Sequence, residues 1–210
     1  GEMRVSSEAI HLVAALNRNE VEIQVGLQCA PLLTGIKVSN LLGVDRQHRD
    51  TVIRLFCTTG ISCRLLCECS ERVTFFLFRR EKLEEYLMCP EVMALMKAFG
   101  YSGVGLVDIL SKVAERYSGY MKCREPFPHE IGLLLGYPVA DVAGFIQNGG
   151  KDFIYSGYWK VYENLEERLE IFEEYDQAKE QVVRMIAAGA DVHKILKFHR
   201  TPSRKHQIAV

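Results

Sequence analysis

The spacing of apolar residues along the chain predicts a series of helices interrupted by two stretches of β-strand. Apolar side chains recur three and four positions apart, the period of an amphipathic helix, at residues 8–16, 20–29, 46–58, 81–87, 91–99, 106–117, 165–188 and 191–198. Pro31 is expected to end the second of these helices, because proline lacks the backbone N–H donor. Asp45 and Asn164 stand where N-terminal caps are expected.

Runs of β-branched and aromatic residues predict the strands. Residues 61–69 and 73–79 flank a turn of hairpin length. The second arm is apolar at both alternating sets, which predicts a central strand buried on both faces. Further strand signals lie at residues 32–42, 152–155 and 157–162. Because strands and helices do not alternate strictly, the predicted class is α+β, with a small antiparallel or mixed sheet of about three to four strands and about eight helices.

The length of the chain predicts how it is divided. Its 210 residues are enough to bury one well-formed core. No repeat, low-complexity run or linker interrupts them. A single domain over residues 1–210 is therefore expected, with a core at 8–187 and a C-terminal helix and tail at 190–210 as an appendage.

Residues 127–150 carry the most locally determined structure. Pro128 suits the first turn of a helix, and a Gly-Tyr-Pro break at 136–138 ends that helix. A second short helix closes at the two glycines 149–150. The segment therefore predicts two short helices joined by a turn.

This segment resembles an uncharacterised bacterial family catalogued as domain of unknown function 3793. The Gly-Tyr-Trp-Lys-Val-Tyr run at 157–162 is similar to the same family, and residues 29–37 and 78–83 match it more loosely. The likeness spans most of residues 8–176, and the end beyond about Arg184 is particular to this chain. The resemblance implies membership but no activity, since the family has no assigned function.

One hypothesis for the two short helices is a DNA-binding helix-turn-helix, because their glycines and apolar residues stand at the positions such motifs use. The chemistry opposes it. No Arg or Lys lies between Glu130 and Asn148 to contact phosphate, and Gln147 is the only good base reader on the second helix. A helical hairpin packed on the sheet is favoured instead.

A surface for a small ligand or a protein partner is predicted at His129, Glu130, Tyr137, Asp141, Asn148, Tyr158 and Lys160. Histidine is the side chain that ordinarily changes its charge near neutral pH, and His129 stands at a helix start whose free amides can bind an anion. On a strand, Tyr158 and Lys160 would share one face, opposite the core residues Trp159 and Val161.

Whether the protein is an enzyme stays open at this point. An enzyme would use His129 and Glu130 as acid and base, with Lys160 holding an anionic substrate. The structural interpretation is a buried, hydrogen-bonded histidine that anchors the helix start. No Ser or Cys nucleophile stands beside His129 in the sequence, so no catalytic residue is assigned.

The chain has seven cysteines, an odd count that argues against a disulfide framework. Cys63, Cys67 and Cys69 would share one strand face with Leu65, about 6.5–7 Å apart along the strand. That spacing does not suit convergence on one zinc ion. A thiol-rich core face is favoured, and the alternative is a thiol-based redox accessory protein, which requires an exposed thiol.

Charge and hydropathy restrict the expected partners. A formal net charge of −1 argues against a general binder of nucleic acid or anionic membrane. No apolar run approaches the roughly 18 residues of a membrane span, and the start of the chain lacks a signal-peptide pattern. We expect a cytoplasmic protein without metal or cofactor. Its acidic 163–180 helix and basic 193–205 end would pair within the chain or across a homodimer.

Overall fold

The computed structural model describes residue 11 and residues 21–200. The chain divides into a central unit, Val38–Gly150, and a terminal unit, Gly1–Lys37 with Lys151–Val210. His11 is helical, whereas the rest of the helix predicted at 8–16 and the tail 201–210 lie outside the described residues. The single domain expected from the sequence stays a prediction.

The α+β class is confirmed by a three-stranded antiparallel sheet, a two-stranded sheet and the helices around them. In chain order the described elements are α1 (Val21–Leu33), β1 (Ser39–Asp45), a 3-10 helix (Arg46–His48), α2 (Arg49–Cys57), β2 (Ser62–Glu68), β3 (Arg72–Phe78), α3 (Arg80–Leu87), α4 (Pro90–Ala98), α5 (Leu106–Met121), α6 (Glu130–Leu134), α7 (Val139–Gln147), β4 (Tyr155–Ser156), β5 (Lys160–Val161), α8 (Leu165–Ala187) and α9 (Val192–Phe198). The terminal unit contains α1, β4, β5, α8 and α9, and the central unit contains the others.

The central unit is built on the sheet β1-β3-β2, in which β3 pairs antiparallel with both neighbours. Four consecutive residues of β3, Phe75–Phe78, are buried, so the prediction of a central strand buried on both faces is confirmed. Phe76 and Phe78 share a core cluster with apolar residues of α3 to α7, including Leu134 and Val142. The helical hairpin α6–α7 therefore packs on the sheet.

A β-bulge in β2 changes the predicted arrangement of the cysteines. Leu65 lies opposite Phe75, but Cys67 lies opposite Thr74, because the register shifts between them. Neighbouring residues of β3 point to opposite faces, so Leu65 and Cys67 do too. The prediction that Cys63 and Cys67 share one face is wrong, since a bulge inserts a residue that period-two alternation does not count.

The terminal unit is organised around α8, the longest described helix, which packs against α1. A Cβ added at Gly26 of α1 would lie 2.2 Å from Cδ1 of Ile186, so glycine permits this close approach. Gly189 closes α8 with a φ of +86°, and the Asp191 carboxylate caps α9 by accepting the Lys194 N–H at 2.7 Å. Both of these helix boundaries were predicted.

The prediction that Pro31 ends its helix is wrong. Pro31 lies in the last turn of α1, which continues to Leu33. In a last turn, the missing N–H removes a single hydrogen bond. The Pro31 carbonyl accepts the Lys37 N–H at 2.9 Å, and Gly35 between them has a φ of +86°. Because the helix and this turn occupy residues 32–37, the strand predicted at 32–42 begins later, at Ser39.

Neither predicted N-terminal cap makes a side-chain hydrogen bond to its helix. After Asp45 the chain first forms a 3-10 helix, and the Asp45 carboxylate lies 3.4 Å from Arg72 instead. Asn164 does precede α8, but it is in the left-handed region with a φ of 51°. The helices were predicted correctly, while the contacts that begin them were not.

Candidate functional site

The seven residues predicted as a site lie in two units. His129, Glu130, Tyr137, Asp141 and Asn148 belong to the central unit, and Tyr158 and Lys160 to the terminal unit. Their grouping into one surface stays a prediction, and the two sets are described separately.

Glu130 forms a buried ion pair in the central unit. Its side chain, at the start of α6, is fully buried. The Oε1 atom accepts hydrogen bonds from the Tyr101 hydroxyl at 2.8 Å and from Nη1 of Arg116 on α5. Oε2 is buried and has no hydrogen-bond partner among the described residues. Burial, followed by the contact with Glu130, raises the pKa of Tyr101. The arrangement links α5, α6 and the segment before α5.

His129 has aromatic neighbours. Its half-buried ring lies between Phe127 and Phe145, with ring centroids 5.8 and 5.5 Å away. The carboxylate of Glu130, its neighbour in the sequence, is held by Arg116. The use of His129 and Glu130 as an acid and a base stays a prediction.

The other three predicted residues of the central unit lie in the α6–α7 hairpin. Asn148 is exposed, and its Nδ2 donates to the Gly144 carbonyl at 2.8 Å, which satisfies the end of α7. The backbone carbonyl of Tyr137 accepts the Tyr86 hydroxyl at 3.3 Å, and burial raises the pKa of the Tyr137 phenol. Asp141 is buried in the first turn of α7. These contacts belong to the packed hairpin, and the absence of DNA binding stays a prediction.

In the terminal unit, β4 and β5 form a short hairpin whose turn packs on α8. Tyr158 and Trp159 lie in this turn, and the rings of both contact Phe172, at 5.5 and 4.5 Å between centroids. The prediction that they occupy opposite faces is wrong, because strand alternation does not hold in a turn. A Cβ at Gly157 would lie 2.3 Å from the Phe172 ring, so glycine permits this packing. Trp159 and Val161 are buried, as predicted.

Two lysines lie over two tyrosines beside this hairpin. The Tyr158 hydroxyl donates to Oδ1 of Asp176 at 2.7 Å, and the Tyr158 ring meets Tyr175 edge-on at 5.0 Å. Nζ of Lys179 lies 4.3 Å from the centroid of the Tyr158 ring, and Nζ of Lys37 lies 5.7 Å from that of Tyr175. We call Lys37, Tyr158, Tyr175, Asp176 and Lys179 the lysine–tyrosine cluster.

The lysine–tyrosine cluster places a positive charge where solvation is poor. Lys37 is only 8% exposed. Burial lowers its pKa from 10.5 to about 8, with Cys29 opposing this shift and the charge of Lys179 adding to it. Burial also lowers the pKa of Lys179, while Asp176 opposes that shift. An anion placed beside both ammonium groups would replace part of the lost solvation.

Lys160, the lysine that was predicted as a ligand contact, lies over a different ring of the terminal unit. Its Nζ is 4.7 Å from the centroid of the Phe153 ring.

Sequence reasoning missed Lys37, Lys179 and Arg116. Lys179 follows Tyr175 by four residues on the apolar stripe of α8, and Arg116 follows Val113 by three on α5, so both break an apolar stripe. Lys37 lies in an irregular turn, where no periodicity marks it.

The cysteines give little support to redox chemistry at the predicted cluster. Burial raises the pKa of Cys63 to about 12 and is also the largest cause of a raised pKa at Cys67. A raised pKa keeps a thiol protonated and therefore less nucleophilic. Cys69 is exposed. Within residues 21–200 no three His, Cys, Asp or Glu side chains are arranged to hold a metal ion.

The described helices and their charges bear on two further expectations. None of these helices combines the length and the apolar composition that a membrane crossing requires. On α8, Glu180 pairs with Arg184 at 2.8 Å within the same helix. Pairing between the 163–180 helix and the 193–205 end, part of which lies outside the described residues, stays a prediction, as does the homodimer.

Comparison with known proteins identifies the family. A family described as "Protein of unknown function (DUF3793)" matches residues 25–196. The match continues past Arg184, so the expectation that the end of the chain is particular to it is wrong for residues 185–196. No curated protein and no solved structure matches the chain. Since the match covers most of the sequence, the chain belongs to the DUF3793 family.

Proposed function

We propose that the protein is a ligand-binding domain of the cytoplasm that binds a small anion at the lysine–tyrosine cluster. The observation that carries this proposal is the buried ammonium group of Lys37, in the same cluster as the partly buried ammonium of Lys179. The sequence predicted a binding domain for a small ligand or a partner, and the cluster favours the small ligand.

The electrostatics of the cluster support an anionic ligand. A buried ammonium is destabilised by the loss of water, and a second positive charge nearby destabilises it further. Both effects lower the pKa of Lys37. A carboxylate or phosphate beside Lys37 and Lys179 would oppose both effects, since an anion close to an ammonium favours its charged form.

The tyrosines would position the ligand. The hydrogen bond to Asp176 fixes the Tyr158 hydroxyl, and Lys179 lies over the same ring. Burial and Asp176 both raise the pKa of Tyr158, so it stays a neutral phenol at physiological pH. Its oxygen retains acceptor capacity for a ligand hydroxyl or amide. Small metabolites that carry a phosphate or two carboxylates fit this combination, because lysine binds phosphate as a point charge.

Calorimetric titration with inorganic phosphate and with citrate tests the proposal. We expect binding to the unaltered protein and a loss of at least about tenfold in affinity in Lys37→Met and in Lys179→Met, because a hydrogen bond to a charged group contributes about 1.5–3 kcal/mol. Lys160→Met is the matched control, since it removes a lysine of the same unit that lies over a different ring.

The control also separates two sites. If binding persists in Lys37→Met and Lys179→Met but is lost in Lys160→Met, the ligand contacts the surface predicted from the sequence, and the proposal is wrong. Absence of binding by every small phosphate and carboxylate in the unaltered protein would also contradict it. Thermal melting of each variant without ligand verifies that the substitutions leave the protein folded.

A further inference from the structure

We propose that Cys67 and Cys69 bind a soft monovalent metal ion of the Cu(I) type as a two-coordinate site at the end of β2. The site lies in the central unit, and the proposal does not depend on the anion site of the terminal unit. The observation behind it is a pair of thiol side chains joined by a hydrogen bond, one buried and the other exposed. From the sequence, a protein without a metal ion was expected.

The bulge in β2 leads the chain into a stretch where the two cysteines share one face of the sheet. Beyond the bulge, Cys67 lies opposite Thr74, and the N–H of Cys69 donates to a β3 carbonyl at 2.8 Å. Side chains two positions apart on a strand point to the same face. Glu68, between them, points to the opposite face, where its carboxylate pairs with Arg46 at 2.7 Å. The two thiols therefore face each other without a side chain between them.

The end of helix α5, which packs against β2, supplies groups that stabilise a thiolate at this place. Burial is the largest effect on Cys67 and raises its pKa, whereas a hydrogen bond from Ser118 and the charge of Lys122 lower it. A monovalent ion between two thiolates gives a complex with one net negative charge. The exposed ammonium of Lys122 would oppose that charge.

The number of sulfur ligands selects the kind of ion. Thiolates are soft ligands that suit Cu(I) and zinc. A structural zinc site takes four protein ligands, and in the part of the chain that the structure describes no three His, Cys, Asp or Glu side chains are arranged to hold a metal ion. Cu(I), a monovalent d10 ion, forms stable linear complexes with two thiolates. The pair therefore suits Cu(I) better than zinc.

The spacing of the cysteines favours a bridging ion over a disulfide. A disulfide brings the two sulfurs to about 2.05 Å and the Cβ atoms to about 3.5–4.5 Å, with the Cα atoms no more than about 6.8 Å apart. Residues two apart on a strand have Cα atoms about 6.4–6.8 Å apart, at the limit of that range. An ion holds the sulfurs farther apart, by two metal–sulfur bonds. Each thiol releases a proton to solvent and donates a lone pair to the ion, and no oxidant is required.

Competition for Cu(I) with the chelator bicinchoninate, under anaerobic conditions and with the thiols reduced, tests the site. The full chain should withdraw one equivalent of Cu(I). Loss of an outer-shell contact weakens metal binding about tenfold to hundredfold, so we expect about tenfold in Lys122→Met and at least about hundredfold in Cys69→Ser, which removes a ligand. Cys57→Ser is the matched control, because Cys57 is also exposed and its thiol donates to the Arg54 carbonyl at 3.0 Å. It should bind Cu(I) like the unaltered protein.

X-ray absorption at the copper edge gives a second measurement that a change in stability would not alter. We expect two sulfur neighbours in the unaltered protein and in Cys57→Ser. Three sulfur neighbours, an equal loss of affinity in Cys57→Ser and Cys69→Ser, or failure of the unaltered protein to compete with the chelator would each contradict the proposal. Displacement of the Cu(I) by an equal amount of Zn²⁺ would contradict it as well. Because Cys69 is exposed, its serine variant should stay folded, and thermal melting verifies this.

Discussion

Glu130 and Lys37 are two buried charges, one in each unit, and their surroundings differ. The carboxylate of Glu130 is neutralised within the fold by Arg116 and accepts a hydrogen bond from Tyr101. The ammonium of Lys37 lies over an aromatic ring, and the charge of Lys179 acts against it. The first charge is paired with an opposite charge of the fold, whereas an added anion would oppose the effect of Lys179 on the second.

Under the proposed function, the Glu130 pair serves the fold and Lys37 serves binding. A buried pair holds elements together only while both partners are present, since removing one leaves an uncompensated charge. A buried lysine with a lowered pKa reduces stability at neutral pH, and sites with strongly shifted pKa values concentrate at functional positions. Mutations at the two places should therefore change stability in opposite directions.

The largest effect is expected from Arg116→Met. It leaves the carboxylate of Glu130 buried without its cation, which should destabilise the protein by about 3–5 kcal/mol. Urea denaturation measures the loss. Arg184→Met is the matched control, because Arg184 forms an exposed pair with Glu180 on one helix, and such pairs contribute about 0.3–0.5 kcal/mol. Equal losses of stability in the two variants would show that the buried Glu130–Arg116 pair contributes no more than the exposed pair.

Lys37→Met should change the free energy of unfolding in the opposite direction and stabilise the protein at pH 7. The folded state releases the Lys37 proton near pH 8, whereas the unfolded state keeps it to about 10.5. Between these values the unfolded state binds more protons, so stability rises with pH in this window. Below pH 8 the burial of the charged Lys37 side chain lowers the free energy of unfolding by its full amount, on the order of 3 kcal/mol.

The pH dependence gives the check on this second prediction. The stability difference between Lys37→Met and the unaltered protein should be largest below pH 8 and should shrink as the pH rises towards 10.5. Urea midpoints at several pH values measure it. A variant that is less stable than the original protein at pH 7 would mean that contacts of the ammonium, rather than its desolvation, dominate at this position.

Gly157→Ala tests whether the hairpin turn must lie close to α8 for the cluster to form. The added methyl would meet the Phe172 ring at 2.3 Å, and such overpacking costs about 1–3 kcal/mol. Gly105→Ala is the control, since its Cβ would meet nothing within 4 Å and its φ of −74° suits alanine. If both variants melt at the same temperature, the contact at Gly157 has room to relax.

The smallest effect on stability is expected from Tyr158→Phe. It removes the hydroxyl that donates to Asp176 at 2.7 Å, which should cost about 1 kcal/mol, since the site is half-buried. The ring that contacts Phe172 and Lys179 is retained. We therefore expect a small loss of phosphate affinity in calorimetry, well below that of Lys179→Met. A loss as large as that of Lys179→Met would assign the phenol a direct contact with the ligand.

Local signals in the sequence predicted much of the fold. The β2–β3 hairpin follows from two alternating runs around a short turn, and the end of α8 follows from Gly189. Failures occurred where one residue changed the local geometry. The bulge before Cys67 and the turn at Tyr158 both interrupt an alternation that the sequence pattern continues. Pro31 fits a last helical turn, which its identity alone does not reveal.

The candidate site was less predictable, because its groups meet across long separations in the chain. Glu130 was chosen from its place at a helix start, but Arg116 and Tyr101, which hold it, come from other segments. Lys37 and Lys179 lie 142 positions apart in the numbering, and only the packing of the terminal unit brings them into one cluster. The strand face on which Tyr158 was predicted does not form, because the residue lies in the turn between β4 and β5.

The most direct test of the anion site is the pKa of Lys37 itself. Carbon-13 NMR of lysine Cε, with the resonance assigned through Lys37→Arg, follows its titration without and with saturating phosphate. We expect a pKa of about 8 for Lys37 in the free protein and a rise towards 10.5 when phosphate binds. A value near 10.5 in the free protein, or one that phosphate does not move, would contradict it.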